Sequence, residues 1–258
     1  MQNKKIVIAN WKMNPLTGKD AEKLWSGVAK NLPTLKKSEV VICPPFLYLE
    51  KLKSASRRTR KILLGAQNAF MGDTGAFTGE VSGAMLYNFG ARYVILGHSE
   101  RRAQGETNAD VNQKIKSVLA AGLYPILCVG ESVRDAEHGY FNLVKDQLSE
   151  CLHGLTKNWL RKLIIAYEPV WAISSTPGRR DATAEDSYEM AIFIRRVLAD
   201  KWGRDAAQTR IIYGGSASDR DAEEFLSRGG VDGLLVGRAS LSPEKFVKIV
   251  AICEALKS

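Results

Sequence analysis

Eight short apolar runs, rich in β-branched residues, recur along the chain and constrain its fold more than any other feature. The runs are Ile6-Val7-Ile8, Val40-Val41-Ile42, Ile62-Leu63-Leu64, Val94-Ile95-Leu96, Ile126-Leu127-Cys128-Val129, Leu163-Ile164-Ile165, Ile211-Ile212-Tyr213 and Leu234-Leu235-Val236. Because they are continuous rather than alternating, they are typical of strands buried on both faces of a parallel sheet.

Most of these runs are separated by segments with helical periodicity. Residues 20–32 carry an apolar stripe, and Ser242-Pro243-Glu244 supplies a cap, a first-turn proline and an early acid. Eight strands alternating with helices predict right-handed βαβ units that close into a (β/α)8 barrel, an α/β fold. The alternative is a doubly wound open sheet, but no G-x-G-x-x-G follows the first strand. No interior linker interrupts residues 1–258, so we predict a single domain.

Composition excludes several other classes. The chain has no run of about 18 apolar residues, and its N-terminal apolar stretch is too short for a signal peptide. Its four cysteines have no metal-ligand spacing, so we expect reduced thiols, no metal and a cytoplasmic location. The net charge of +9 is dispersed, and the basic cluster at residues 51–61 lacks interleaved aromatics. We predict no nucleic-acid or membrane partner, and expect the charge to steer a small anion.

Polar residues and glycines follow most of the predicted strands, at the end where barrel enzymes place their active sites. They are Asn10 and Lys12 after the first strand, His98, Ser99 and Glu100 after the fourth, Glu131 after the fifth, Glu168 after the sixth, Gly214, Gly215 and Ser216 after the seventh, and Gly237 and Arg238 after the eighth. A carboxylate, an imidazole, a lysine and glycine-rich loops together indicate proton abstraction next to a carbonyl in a small phosphorylated substrate.

Glu168 is the candidate base. Pro169 ends the strand directly after it, a segment rich in Ser, Gly, Pro and Arg follows, and Thr183 with Asp186 marks the next helix start. A lone acid before such a loop is typical of a catalytic base under a mobile loop. An ordinary strand-to-helix connection has the same pattern and is the alternative.

His98 is the candidate imidazole, one of three histidines in the chain. His138 and His153 lie in polar, helical contexts, whereas His98 stands at a strand end. If a helical turn begins there, its positive end would keep the imidazole neutral. The alternatives are a hydrogen-bonded core histidine for His98, a solvated side chain for Lys12 and simple turns for the glycines.

Seven blocks in order make the sequence resemble the triosephosphate isomerase family along its whole length. They are N-W-K-M-N (10–14), G-A-F-T-G-E-V-S (75–82), G-H-S-E-R-R (97–102), C-V-G-E (128–131), Y-E-P-V-W-A-I (167–173), Y-G-G-S (213–216) and V-D-G-L-L-V-G-R-A-S-L (231–241). The resemblance implies a TIM barrel that interconverts dihydroxyacetone phosphate and D-glyceraldehyde 3-phosphate in glycolysis and gluconeogenesis, without metal or organic cofactor.

The resemblance also implies roles for the matching residues. Glu168 would move a proton between C1 and C2, and a neutral His98 would polarise the carbonyl, as the matching glutamate and histidine do in this family. Lys12, with Asn10 as a supporting donor, would stabilise the negative charge of the enediolate and the phosphate. Glu100 would support this network.

The phosphate would bind at Ser174, Ser216, Gly237 and Arg238 if the family pattern holds. The pattern departs in two places. Nine residues, 174–182, replace the family's G-T-G-K-x-A, so Gly178 is an alternative to Ser174 as the backbone donor. Arg238 stands where many members have glycine, so its cation could approach the phosphate or point to solvent.

The longer loop, which carries Arg179 and Arg180, motivates the hypothesis of an active isomerase with altered loop closure. Such an enzyme should lose more enediolate to phosphate elimination, giving methylglyoxal, than a member with the short loop. Equal partitioning in a side-by-side assay would contradict this hypothesis.

The segment Gln67–Ser82 resembles the family's long third loop, which docks into a neighbouring subunit. Its apolar residues Phe70, Met71 and Phe77 suit insertion, and a self-packed loop is the alternative. We therefore predict a homodimer. Two rival functions stay open: another phosphate-binding barrel isomerase or aldolase, and a non-catalytic barrel that binds triose phosphates or a macromolecule.

Overall fold

The chain folds into a closed barrel of eight parallel strands in the computed structural model, which describes residues 4–59, 61–173 and 180–256. The strands are β1 (Lys5–Asn10), β2 (Ser38–Cys43), β3 (Ile62–Ala66), β4 (Ala91–Leu96), β5 (Tyr124–Val129), β6 (Ile164–Tyr167), β7 (Arg210–Tyr213) and β8 (Gly233–Val236). Each strand pairs in parallel with the next, and β8 pairs with β1. All eight predicted strands and the (β/α)8 barrel are confirmed, and the open-sheet alternative is wrong.

Helices lie between the strands. They are α1 (Gly18–Asn31), α2 (Leu49–Thr59), α3 (Gly83–Asn88), α4 (Ser99–Arg102), α5 (Asn108–Ala120), α6 (Gly139–Cys151), α7 (Lys157–Leu160), α8 (Ala184–Trp202), α9 (Ala222–Arg228) and α10 (Pro243–Ala255). Thr183 and Asp186 form a reciprocal capping box at the start of α8, and Ser242 caps α10. No helix of the described ranges is long and apolar enough to cross a membrane.

The buried core has two layers, because successive strand residues point to opposite faces. One cluster, with Ile6, Ile8 and Ile95, fills the barrel; the other, with Val7 and Leu96, lies between barrel and helices. Because all eight strands run parallel, their carboxyl ends meet at one mouth of the barrel.

Candidate active site

A cavity of about 430 Å³, open solvent included, lies at this mouth. Seven of the predicted site residues line this cavity: Asn10, Lys12, His98, Glu168, Ser216, Gly237 and Arg238. Glu100 lines an adjoining cavity with Lys12 and His98. Residues far apart in sequence are thus brought together because each follows a barrel strand.

Glu168 is buried, with 2% of its surface exposed. The backbone N–H of Ser99 donates to its Oε2 at 3.0 Å, and Nε2 of His98 lies 3.2 Å from its Oε1. The latter pair is close but poorly aligned, since the buried Oε1 has no hydrogen-bond partner among the described residues. Oε1 is therefore an acceptor that the described residues leave without a donor, as a general base requires.

Glycines on both neighbouring strands make room for Glu168. A Cβ atom at Gly130, after β5, would lie 1.8 Å from the carbonyl oxygen of Glu168. A Cβ atom at Gly214, after β7, would lie 2.9 Å from its Cγ. A larger residue at Gly130 would displace the backbone of Glu168, and one at Gly214 would displace its side chain.

The thiol of Cys128, inside the barrel, shows how dry this region is. Burial raises the pKa of Cys128 well above its usual range, and the negative charge and hydrogen bonding of Glu168 raise it further. The thiol is therefore neutral and places no competing negative charge below the carboxylate.

His98 occupies the N-cap position of α4, as the sequence suggested. Its Nδ1 accepts a hydrogen bond from the backbone N–H of Glu100 at 3.2 Å. A nitrogen that accepts a hydrogen bond carries no proton, so this contact favours the neutral tautomer with hydrogen on Nε2. That hydrogen faces the cavity, where it can donate to a ligand oxygen.

Lys12 is held in an unusual backbone conformation. Its φ angle is +53°, in the left-handed region that non-glycine residues rarely adopt. The side chain of Asn10 accepts from its N–H at 3.0 Å, and that of Gln67 donates to its carbonyl at 2.8 Å. The Nζ atom lies 2.5 Å from Oε1 of Glu100. The lysine is therefore fixed at both backbone ends while its ammonium stays at the cavity.

The loops after β7 and β8 form one wall of the cavity. The backbone N–H groups of Gly215, Ser216 and Gly237 have no hydrogen-bond partner among the described residues, and all three residues line the cavity. Free N–H groups that converge on one cavity suit a phosphate or another anion. Arg238 also lines this wall.

Glu131 has a different role from the other acids that follow barrel strands. It is fully buried, and its Oε1 accepts from the Tyr167 hydroxyl and from Nε1 of Trp171, both at 2.8 Å. Nε of Arg134 lies 3.2 Å from the same oxygen. Burial, and then the charge of Glu131, raises the pKa of Tyr167 well above its usual range, so the tyrosine stays a donor. Glu131 anchors the turn after Glu168 and does not line the cavity.

The segment 174–179 lies outside the described residues, so the predictions for Ser174 and Gly178 remain predictions. Two contacts escaped the sequence-based analysis: the Ser99 amide on Glu168 and the Gln67 side chain on Lys12. A backbone amide leaves no signature in residue identity. Gln67 was visible only as the start of a loop.

A buried carboxylate facing an imidazole, a lysine and an anion-binding wall defines a barrel enzyme that moves protons on a small anionic substrate. The triosephosphate isomerase family model matches residues 5–253. A curated triosephosphate isomerase from Dehalococcoides mccartyi is 47% identical over 247 residues, covering 95% of this chain and 94% of that protein. One from Moorella thermoacetica is 43% identical, covering 95% and 97%.

A solved structure agrees with these relatives. The triosephosphate isomerase crystal structure from Bartonella henselae superposes with a TM-score of 0.84 at 35% identity, covering 96% of this chain and 98% of that one. The chain belongs to the triosephosphate isomerase family, the enzymes that interconvert dihydroxyacetone phosphate and D-glyceraldehyde 3-phosphate. It is an intramolecular isomerase of the TIM-barrel fold, as the sequence resemblance implied.

Proposed function

We propose that Glu168 is the base of this isomerase and moves a proton between C1 and C2 of the triose phosphate through an enediolate. The observation that carries this proposal is the buried Glu168 carboxylate, 3.2 Å from His98 Nε2 and in one cavity with the free backbone N–H groups of Gly215, Ser216 and Gly237. Fixed donors in a water-excluded site stabilise the developing negative charge with little reorganisation.

The reaction requires Glu168 to move. At 3.2 Å from His98 Nε2, its Oε1 occupies the position that a substrate oxygen needs in order to accept from the imidazole. Its Oε2 is held by the Ser99 amide. Substrate binding must therefore draw the carboxylate away from both groups and towards the carbon acid, a rearrangement that is common between ligand-free and reactive sites.

His98 and Lys12 act on the oxygens while Glu168 acts on carbon. Neutral His98 donates from Nε2 to the carbonyl oxygen and moves the proton between the two oxygens as the enediolate collapses. Lys12 stabilises the negative charge of the enediolate and the phosphate. Asn10 orients Lys12 through its backbone, and Glu100 pairs with the ammonium until substrate enters.

The phosphate binds against the wall formed by the loops after β7 and β8. Ser216 and Gly237 offer backbone N–H groups there, and Arg238 adds a cation. Ser174, which aligns with a family glycine, would complete this set from the loop after Glu168. No metal or organic cofactor takes part in this proposal, in which side chains and backbone amides do all the chemistry.

We also propose a homodimer, because exposed apolar residues cluster on one side of the barrel. Eight large apolar side chains are at least a third exposed in the loops after β1, β2 and β3 and in or next to α3: Met13, Leu16, Phe46, Leu47, Phe77, Met85, Tyr87 and Phe89. Clusters of this kind mark protein interfaces.

A cavity of about 770 Å³ between the first three loops and α4 gives this side a recess, lined in part by Met13, Phe46 and Gln67. The 67–82 loop closes on itself through Phe70 and Val81, and Phe77 packs on Phe70 at its exposed tip. A second copy that inserts this tip into the recess would cover both surfaces and fix Gln67 against Lys12. In this proposal each subunit is a single domain that comprises the whole chain, and the enzyme acts in the cytoplasm.

One coupled assay tests the proposal. Purified protein should interconvert the two triose phosphates without added metal. Glu168→Gln should abolish this isomerisation but still bind the triose phosphates. A wild-type chain that binds triose phosphates without isomerising them would instead support a non-catalytic barrel. An aldolase of the Schiff-base type needs a lysine amine that is free to attack the substrate carbonyl, whereas the amine of Lys12 is paired with Glu100.

A further inference from the structure

Two guanidinium groups lie over the ring of Trp171, three residues after Glu168. Cζ of Arg180 is 4.3 Å from the ring centroid and Cζ of Arg134 is 5.5 Å from it. The indole is buried, with 8% exposed, and its Nε1–H is fixed on Glu131. A guanidinium within about 6 Å of an indole face is attracted by the negative charge of the ring.

The two arginines differ in their other contacts. Arg134 is bound to Glu131, Asp186 and Glu189 and is part of a buried network. Arg180 is exposed, and within the described ranges the ring of Trp171 is its only partner. Replacing Arg180 therefore removes one contact and little else, which makes it the informative position.

The contact joins two stretches that flank residues 174–179. Trp171 belongs to the short 3-10 turn Val170–Ala172, which is separated from Glu168 by Pro169 alone. This turn is tied to the end of β5 because Glu168 N–H donates to Val129 at 2.8 Å and Val170 N–H donates to Glu131 at 2.9 Å. Arg180 comes three residues before the cap of α8 and touches the same turn from its exposed side.

We infer that Arg180 is a positioning residue, which through the ring of Trp171 holds the turn after Glu168 in the arrangement in which Glu168 contacts Ser99 and His98. This inference rests on the proposed function, in which Glu168 must leave Ser99 and His98 before it can act. A contact shifts an equilibrium only by the difference in its strength between the two states. The contact is made while Glu168 lies against Ser99 and His98, and because it weakens when the turn moves, it opposes ligand binding.

A second possible role for Arg180 has the opposite sign. As an exposed cation on a chain that binds a dianion, it could attract the substrate through its charge. Loss of a steering cation weakens ligand binding. Loss of a contact that keeps Glu168 on Ser99 and His98 strengthens ligand binding. The sign of the change in Kd therefore separates the two roles.

The test compares Arg180→Gln, Arg180→Lys and the wild-type protein, with Arg196→Gln as the matched control. Arg196 is an arginine on α8 that is 80% exposed and has no contact with Trp171. The probe is 2-phosphoglycolate, a phosphorylated carboxylate that resembles the enediolate, with Kd measured by calorimetry.

Arg180→Gln should lower the Kd of the probe, and the KM, by about two- to fivefold, the range expected for an exposed cation–π contact. Its kcat should change by less than about twofold, since no group that touches substrate is altered. Arg180→Lys keeps a cation over the ring and should restore the wild-type Kd, and Arg196→Gln should not change it. An unchanged or raised Kd in Arg180→Gln would overturn the inference.

Fluorescence of the ligand-free protein checks the contact itself, independently of activity. Because the chain has five tryptophans, the Trp171 signal is obtained as the difference between each protein and its Trp171→Phe counterpart. Arg180→Gln should change this difference spectrum and Arg196→Gln should not. Absence of isomerase activity in the wild-type chain would refute the proposed function, whereas an active wild type with an unchanged spectrum in Arg180→Gln would refute only this inference.

Discussion

The Nζ atom of Lys12 lies 2.5 Å from Oε1 of Glu100, so the lysine that faces the cavity is paired with a carboxylate of its own chain. The two side chains are 25% and 44% exposed, and ion pairs of that exposure contribute little stability. A phosphate dianion can therefore draw the ammonium away from Glu100 at small cost. The costly element is the left-handed backbone of Lys12, which Asn10 and Gln67 hold in place.

Lys12→Met should lower kcat/KM by about 100-fold or more, because it removes a fixed cation from the developing negative charge while keeping the length of the side chain. Steady-state kinetics in both directions measures the loss. Lys23→Met, at an exposed lysine of α1, is the matched control and should retain wild-type kinetics. A loss of less than about fivefold would show that Lys12 is not part of the charge-stabilising group.

Glu168→Asp should preserve binding of 2-phosphoglycolate but lower kcat by about 100-fold or more, because the carboxylate retreats by one methylene from the carbon acid. The control is Glu137→Asp, the same change at an exposed acid outside the site. Circular dichroism before kinetics checks that both variants are folded. A kcat within a few-fold of wild type would mean that another group is the base.

The fold was predictable because its signal is local and repeated. A short apolar run such as Ile6-Val7-Ile8 is enough to identify a buried strand. Eight such strands that alternate with helices favour a closed barrel over other sheet arrangements. The helix caps at Thr183 and Ser242 were visible for the same reason, since a cap depends on residues within one turn.

The site was predictable in its membership but not in its contacts. Position after a strand places Lys12, His98 and Glu168 at one mouth whatever their rotamers. The distance between His98 and Glu168, and the contact of Arg180 with Trp171, depend on side-chain packing between distant segments, which has no sequence period. For the same reason the sequence does not reveal that Glu131 anchors the turn after Glu168. Its position after a strand is the same as that of a catalytic acid.

Arg238→Gly should raise KM severalfold and leave kcat within about twofold, because the backbone of residue 238 survives while a cation near the phosphate is lost. The rise in KM should shrink as ionic strength increases, since salt screens the missing attraction. Arg220→Gly, at an exposed arginine outside the cavity, controls for the change in net charge. An unchanged KM at low salt would indicate that the Arg238 guanidinium points away from the phosphate.

Glu254 should contribute to the pH dependence of stability. Burial raises its pKa, but hydrogen bonds from Ser38 and from the N–H groups of Lys36 and Lys37 outweigh this, so its pKa in the folded protein is lowered from 4.5. Its stabilising effect is therefore present above the unfolded-state pKa and is lost as pH falls through the folded-state pKa.

Glu254→Gln should accordingly lower the free energy of unfolding by about 1 to 2 kcal/mol at pH 7, because an amide replaces a carboxylate that accepts four hydrogen bonds. The difference from wild type should disappear in strongly acidic solution. Urea titrations at several pH values measure it, with Glu137→Gln as the control. A difference that stays constant with pH would exclude the carboxylate charge as its cause.

Phe77→Glu should convert the protein from a dimer to a monomer at micromolar concentration, as measured by light scattering, because a carboxylate replaces an apolar side chain that is 51% exposed at the tip of the 67–82 loop. Since Phe77 also packs on Phe70 within its own chain, Leu47→Glu provides a second variant at an 86% exposed position and should act alike. Leu143→Glu, on α6, should remain dimeric. The monomeric variants should also lose activity, because in the proposed dimer the loop of the partner fixes Gln67 against Lys12. A wild-type chain that is monomeric and fully active would exclude this dependence.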